Sequence, residues 1–514
     1  MTISRRHLFM RKPLADVRTD REQHGMARSL GPVQLVLIGI GCIIGAGVYV
    51  MTGVAAANYA GPAVTLSFIL AALACTFTAL CYAELSSTLP VAGASYSYAY
   101  ASMGELFAWI LGWMLSFEFA LAGAALAAGV SGYLVSLLAD FSVHVPAAIA
   151  TPFVNATTDA TGVHFVTGGG INLVACAAIA LFALILVRGV SQSARVNAAL
   201  VVIKVGVLIL FVILGAPHVD TANWSPFIPE NEGGFAYGWI GVFRGASILF
   251  FAYLGFEAVA TTALEARNPQ RDVPIGILGA LAVATLVYVA VALVLTGLVP
   301  YRALNVPDPV AVAVGAIGAP AMALVVKLGA LVGLSSVLMV NTYAHSRVCF
   351  SMSCDGLLPR FFSAVHPRFR TPHLGTLCVA AVAAVGAALL PISILGDLVS
   401  LGTAVVFCTV ALSVIWLRNA QPELERPFRV PFGGIRIGGA WLGVVPVVAI
   451  LLTMMMIAPV IGDMIYKMQH GDRLPAIILP SYVAVGAVIY FTYSYRHSRL
   501  RQAAGESALA ADRA

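Results

Sequence analysis

The sequence predicts an all-α membrane protein of twelve transmembrane helices, organised as a five-plus-five inverted repeat whose first and sixth helices are discontinuous. Composition, the spacing of the apolar runs and two matched interruptions carry that prediction. Of the 514 residues, 60% are hydrophobic and only 10% are charged, and a mean hydropathy of +0.92 places most of the chain in lipid. Apolar runs lie near 33–57, 62–86, 105–138, 171–187, 196–216, 239–264, 275–299, 319–346, 374–390, 394–417, 441–459 and 475–495. Each is of the order needed to cross a hydrocarbon layer of ~30 Å.

Sidedness follows from Lys and Arg in short loops, which accumulate on the cytoplasmic side. With the N-terminus inside, 23 of the 29 basic residues fall on cytoplasmic segments, and the outside loops hold only Arg302, Lys467 and Arg473. Both termini are therefore expected in the cytoplasm. Residues 1–30 and 497–514 are then tails, 31–418 the repeat core, and 419–496 the last two helices with the loop before them. The net charge of +6 is a consequence of this sidedness and calls for no nucleic-acid partner. No cleavable signal peptide is expected, because residues 1–30 lack an apolar core and the first span can serve as the insertion signal. The eight cysteines map to spans or the inner side with no C-x-x-C, so neither disulfides nor a metal site is indicated, and no cofactor is expected.

The first run, Val33 to Ala57, is uncharged yet holds Gly39, Gly41, Gly45, Gly47 and Gly53, each costing about 1 kcal/mol against alanine in a helix. Alone, Gly41 and Gly45 read as a GxxxG contact between packed helices. The alternative is an unwound stretch at Gly45-Ala46-Gly47, where freed amides and the positive end of a half-helix hold a carboxylate at the membrane midplane. A second interruption favours the break. In the sixth run, FFAYLGFEAV sets Gly255 beside Glu257 at mid-depth, which is tolerable where backbone lines a cavity. The run then stops at Asn268-Pro269. Runs starting at 33, 62, 105, 171 and 196 are echoed by those at 239, 275, 319, 374 and 394, with offsets of 198 to 214 residues. Five spans per half is an odd number, so the second half inserts upside down. Inverted repeats with both first helices broken point to a secondary transporter with its site at the repeat interface.

Ionisable residues inside the runs come next. Glu84, followed by a turn at Pro90 and Gly93, reads as an interface residue in reach of headgroup water. Glu118 lies a third of the way into its run, where a carboxylate costs roughly 2.5–3.5 kcal/mol, so it faces the interior with a partner. Lys204 lies ~10 Å into the fifth run by helical rise. It either snorkels to headgroups or is buried and titratable, and its depth favours the second. Arg244 and Lys327, near the outer ends of their runs, read as snorkelling. Residues 139–170 contain no Lys or Arg and read as an ordered or partly ordered outside loop.

Three stretches, GIGCIIGAGVYV, FFAYLGFEAVATTALEARNPQRDVP and SRVCFSMSCDGLLPRFFSAVHPRFRTP, resemble the cationic amino acid transporter branch of the amino acid–polyamine–organocation superfamily. The resemblance runs from about Gly31 to about Trp416. It implies alternating access, with the substrate carboxylate on the amides of Gly45, Ala46 and Gly47. It places the substrate amine on the carbonyls of Ile43, Phe251, Ala252 and Leu254, with Phe251 as an aromatic gate. In proton-using members a lysine at the position of Lys204 stands where sodium-driven relatives bind sodium, and Glu118 and Glu257 are the carboxyls to balance or relay its charge. Asn341 is similar in position to residues lining the side-chain pocket; its other reading is a helix-to-helix hydrogen bond. Two departures stand out: Ala46 where relatives carry Thr or Ser, and Glu257 where they carry Asp.

These features lead to an amino acid permease of the cell membrane, a proton symporter, with an amino acid or polyamine exchanger as the alternative. A membrane-embedded enzyme fits less well, since Glu118, Lys204 and Glu257 are too scattered for a nucleophile–base set. A channel predicts symmetric pore-lining residues from several subunits, unlike two differently broken helices in one chain.

Overall fold

Backbone buried in lipid must satisfy its own hydrogen bonds, so long apolar runs become helices. The computed structural model describes residues 9–12, 30–89, 94–159, 162–189, 194–469 and 473–502. Most of the basic N-terminal tail, the turn expected at Pro90 and Gly93, and the chain beyond Gln502 lie outside the described residues.

Within them, nine helices are long and apolar enough to cross a membrane, and three shorter apolar helices, Pro32–Ile43, Leu173–Val187 and His373–Leu389, accompany them. Helix occupies every one of the expected runs. We label the principal helices α1 (Pro32–Ile43), α2 (Val64–Thr88), α3 (Glu105–Asp140), α4 (Leu173–Val187), α5 (Ala194–Gly215) and α6 (Gly238–Leu249). They continue as α7 (Pro269–Leu298), α8 (Pro320–Cys354), α9 (His373–Leu389), α10 (Ile392–Ala420), α11 (Val444–Gln469) and α12 (Leu474–Ile489). The outer part of the first run is not separated from the second: Gly47–Thr88 is one helical stretch of 42 residues. The loop expected to be ordered carries a hairpin, β1 (Val154–Asp159) antiparallel to β2 (Gly162–Thr167), with Val154 opposite Thr167.

The core is a pack of α3 against α8 and α10, with α7 laid along α1 and α2. Small residues allow the close approach, as a Cβ on Gly129 would already sit 3.3 Å from Leu334 of α8. Val202, Ile213, Leu286 and Leu451 remain exposed on α5, α7 and α11, an apolar outer surface of the kind that lipid covers.

Three charges differ from expectation. Arg244 does not snorkel: it is fully buried and its Nη2 lies 2.7 Å from Asp397 and 2.8 Å from Asp463. Lys327 is tied to Asp140 at 2.6 Å. Glu84 is buried away from headgroup water and clasped by Arg418, with Nε–Oε1 2.7 Å and Nη2–Oε2 2.5 Å. In each case the partner lies far along the chain, so the sequence shows the charge and hides its neutralisation.

Candidate functional site

α1 ends at Ile43, Ile44 takes up φ −75° and ψ 98°, and helix resumes as a π-turn over Gly47–Met51. The interruption therefore falls at Ile44–Gly45, with Ala46 already helical, slightly earlier than the expected stretch at 45–47. The packing reading of the glycines also holds in part, since a Cβ on Gly41 would come within 2.9 Å of Val201 on α5. On the other side Gly47 lies against Ala252, whose Cα would be 2.6 Å from an added Cβ.

The second interruption follows α6. A 3-10 turn over Phe250–Tyr253 leads to Gly255 at φ +116°, and a short helix, Glu257–Thr261, begins beyond it. Only glycine suits Gly255, because its φ is left-handed and a Cβ would stand 2.6 Å from the Cys42 carbonyl carbon. Its N–H donates to Glu257 Oε2 at 2.9 Å. The two breaks thus touch twice, Gly47 on Ala252 and Gly255 on Cys42.

Side chains from other helices hold them. The Tyr288 hydroxyl of α7 is 2.8 Å from the Ile43 carbonyl and 2.9 Å from the Ala252 carbonyl, sharing one proton between the two breaks. Lys204 of α5 is fully buried, and its Nζ donates to Gly41 O at 2.5 Å and Ile44 O at 2.8 Å. The last carbonyls of a helix lack intrahelical donors, and the negative end of the dipole favours a cation there, so this amine caps the broken end of α1. Tyr49 donates to Lys204 O at 3.1 Å and Tyr133 donates to Tyr49 O at 2.8 Å, extending the brace to α3.

Glu118 is buried, and its Oε2 has no hydrogen-bond partner among the described residues. α10 packs against it at Gly402, where an added Cβ would lie 3.7 Å from Glu118 Cβ, and Glu257 stands within electrostatic reach. Neither Glu118 nor Glu257 forms an ion pair with Lys204; Cys42 stands within electrostatic reach of both Lys204 and Glu257. Asn341, half-buried on α8, donates from Nδ2 to Phe119 O of α3 at 2.8 Å. One turn on, His345 pairs with Ser116 at 2.8 Å. Gly45, Ala46, Gly47, Phe251, Ala252 and Lys204 are therefore brought together, while Asn341 lies in the α3–α8 contact. Sequence reasoning missed Tyr288, Tyr49 and Tyr133. Their one signal is a tyrosine deep in an apolar run, whose hydroxyl needs a partner once buried.

Two broken helices meeting in a helical membrane core define a transporter scaffold. The chain belongs to the amino acid permease family, whose model matches residues 30–464. It is 41% identical over 495 residues to a methylthioribose transporter of Bacillus subtilis, covering 96% of this chain and 99% of that one. It is 37% identical over 497 residues to the branched-chain amino acid permease BcaP of the same organism, with the same coverage. A vacuolar cationic amino acid transporter of Arabidopsis thaliana is 37% identical over 424 residues, which are 82% of this chain and 64% of that one. These relatives are transporters and permeases, and the chain is a multi-pass membrane transporter, not an enzyme.

Proposed function

We propose that the protein is a proton-coupled amino acid symporter of the cell membrane, crossing it twelve times as two inverted five-helix repeats plus α11 and α12, with both termini cytoplasmic. The observation that carries the reading is the Lys204 amine on the carbonyls of Gly41 and Ile44. The substrate carboxylate would lie on the amides of Gly45, Ala46 and Gly47, and its amine on the carbonyls of Ile43, Phe251, Ala252 and Leu254. A carbonyl oxygen has two lone pairs, so Ile43 and Ala252 keep one each beside Tyr288. Ala46 brings no hydroxyl, so the head group is held by backbone. Phe251 would gate the site, and Asn341, held to α3 by its bond to Phe119 O, would meet the substrate tail from the α3–α8 contact.

Protonated Lys204 offers a charge to the negative end of α1. Its neutral form keeps N–H donors and loses that charge. The proton is then a ligand whose binding differs between the two states of the break, which is the condition for shifting a population. Glu118 and Glu257 balance or relay the charge.

In proteoliposomes with an imposed inward proton gradient and a pH dye inside, wild-type protein should accumulate substrate and acidify the lumen. Lys204→Met should lose both while keeping substrate binding by thermal shift. Accumulation and acidification unchanged in Lys204→Met would remove the lysine from coupling. Uptake that requires internal preloading would favour exchange over symport. A second reading, transport of methylthioribose, is supported by the relative of that name at 41% identity over 96% of this chain. The same assay run with methylthioribose, branched-chain and cationic amino acids as competitors separates the two.

A further inference from the structure

Buried polar atoms without partners gather on one seam of the fold, where α6, α10 and α11 pack on one another. Arg244 Nη1, Ser393 Oγ, Asp397 Oδ1, Ser400 Oγ and Thr453 Oγ1 are all buried and have no hydrogen-bond partner among the described residues. Ser393, Asp397, Ser400 and Thr403 recur at intervals of four, three and three along α10, which puts them on one helical face over about 15 Å. Other hydroxyls of the same helix satisfy themselves: Thr403, Thr409 and Ser413 donate to the carbonyl four residues back at 2.9, 2.7 and 2.9 Å. Ser393 and Ser400 do not, so their hydroxyls are left for something else.

A buried unsatisfied polar group costs about 1–3 kcal/mol, and a buried water relieves about three such groups at once. The seam offers both donors and acceptors, which suits buried water. At one end lies the cluster of Arg244, Asp397, Asp463 and Lys467, with Lys467 Nζ 2.9 Å from Asp463 and the Arg244 guanidinium over the Tyr59 ring. This end is opposite the termini: Arg11 covers the ring of Trp416 at the far end of α10. At the other end α10 packs on Glu118 at Gly402, where an added Cβ would lie 3.7 Å from Glu118 Cβ, and Glu118 Oε2 is the next atom without a partner among the described residues. α3 and α10 are in contact at that level, since a Cβ on Gly402 would lie 3.2 Å from Phe117.

We propose that the seam between α6, α10 and α11 is a hydrated route by which protons, separately from substrate, reach Glu118 from the face opposite the termini. The route rests on the proton coupling proposed above and adds where the proton enters. It involves no bond to carbon and no redox step: a proton passes along hydrogen-bonded water past Asp397 and Ser400 to the Glu118 carboxyl.

The test compares two assays on the same proteoliposomes. Proton-driven uptake needs proton entry, whereas counterflow of labelled against unlabelled substrate needs no net proton movement. The triple variant Ser393→Ala, Ser400→Ala, Thr453→Val should lose most proton-driven uptake and the accompanying acidification while counterflow persists. Ser400→Thr, which keeps a hydroxyl, should retain both. Wild-type proton-driven uptake in the triple variant would overturn the route, and so would a parallel fall of uptake and counterflow. If the triple variant does not fold, Ser400→Ala alone is read in the same way. Wild-type protein with counterflow and no proton-driven uptake would overturn the coupling itself, a result distinct from failure of the route.

Discussion

Tyr288 touches both breaks, and its signal in the sequence is faint. Lys204 is legible because a charge in an apolar run must be explained, whereas one tyrosine among seventeen prompts only the question of where its hydroxyl goes once buried. Its hydroxyl bridges Ile43 O and Ala252 O, and interhelical hydrogen bonds in membranes are worth about 0.6 kcal/mol each. Tyr288→Phe should therefore cost only about 1 kcal/mol of stability. It should raise the substrate KM more than that loss suggests, because two carbonyls of the proposed head-group site lose their anchor. Melting temperature and KM measured together check this; a small drop in the first with an unchanged KM would make Tyr288 a packing residue. Asn341 shows the opposite limit of sequence reading. Its polar character was visible, but its bond to Phe119 depends on which helix faces it.

At the scale of elements, the glycine pattern carried the most information. Gly45, Gly47 and Gly255 marked two interruptions, and the structure has one in each expected run. What the pattern did not give is that the interruptions are pressed together, because contact between residues some 200 apart leaves no trace in a single sequence. Gly255 tests that contact. An alanine there would adopt a left-handed φ of +116°, a strain of order 1–3 kcal/mol, and would drive its methyl into the Cys42 backbone. Gly255→Ala should therefore lower the melting temperature and abolish transport by separating the breaks. Gly315→Ala is the control, since its Cβ would meet nothing within 4 Å, and in a helix the exchange is neutral to favourable. Equal behaviour of the two variants would show that the junction tolerates displacement.

For the whole molecule, charge is neutralised at two levels along α10. Near its start Asp397 binds Arg244 of α6 at 2.7 Å. Near its end Arg418 binds Glu84 of α2 at 2.5 Å, and Arg426 and the Val430 amide add to the same carboxylate. The two clasps are 21 residues apart in the sequence, roughly 30 Å along a helix, and so sit at opposite faces of a membrane-sized pack. Arg418 and Arg426 are legible in the sequence as charges at and just past the end of an apolar run, but the carboxylate they serve is over 300 residues away. A transporter working by alternating access, as proposed here, opens one face at a time, so each clasp should stabilise closure of its own face. Removing one partner of a buried pair costs about 3–5 kcal/mol, and about 1.4 kcal/mol is ten-fold in an equilibrium, enough to invert a balanced population. Glu84→Gln should then favour opening toward the face that carries the termini, and Arg244→Met toward the other. Cys42, at the first break, reports which: its labelling by a membrane-impermeant thiol reagent, read by mass spectrometry, should rise from the terminal face in Glu84→Gln and from the opposite face in Arg244→Met. The same direction of change in both variants would mean that the clasps only hold helices together and do not select a face.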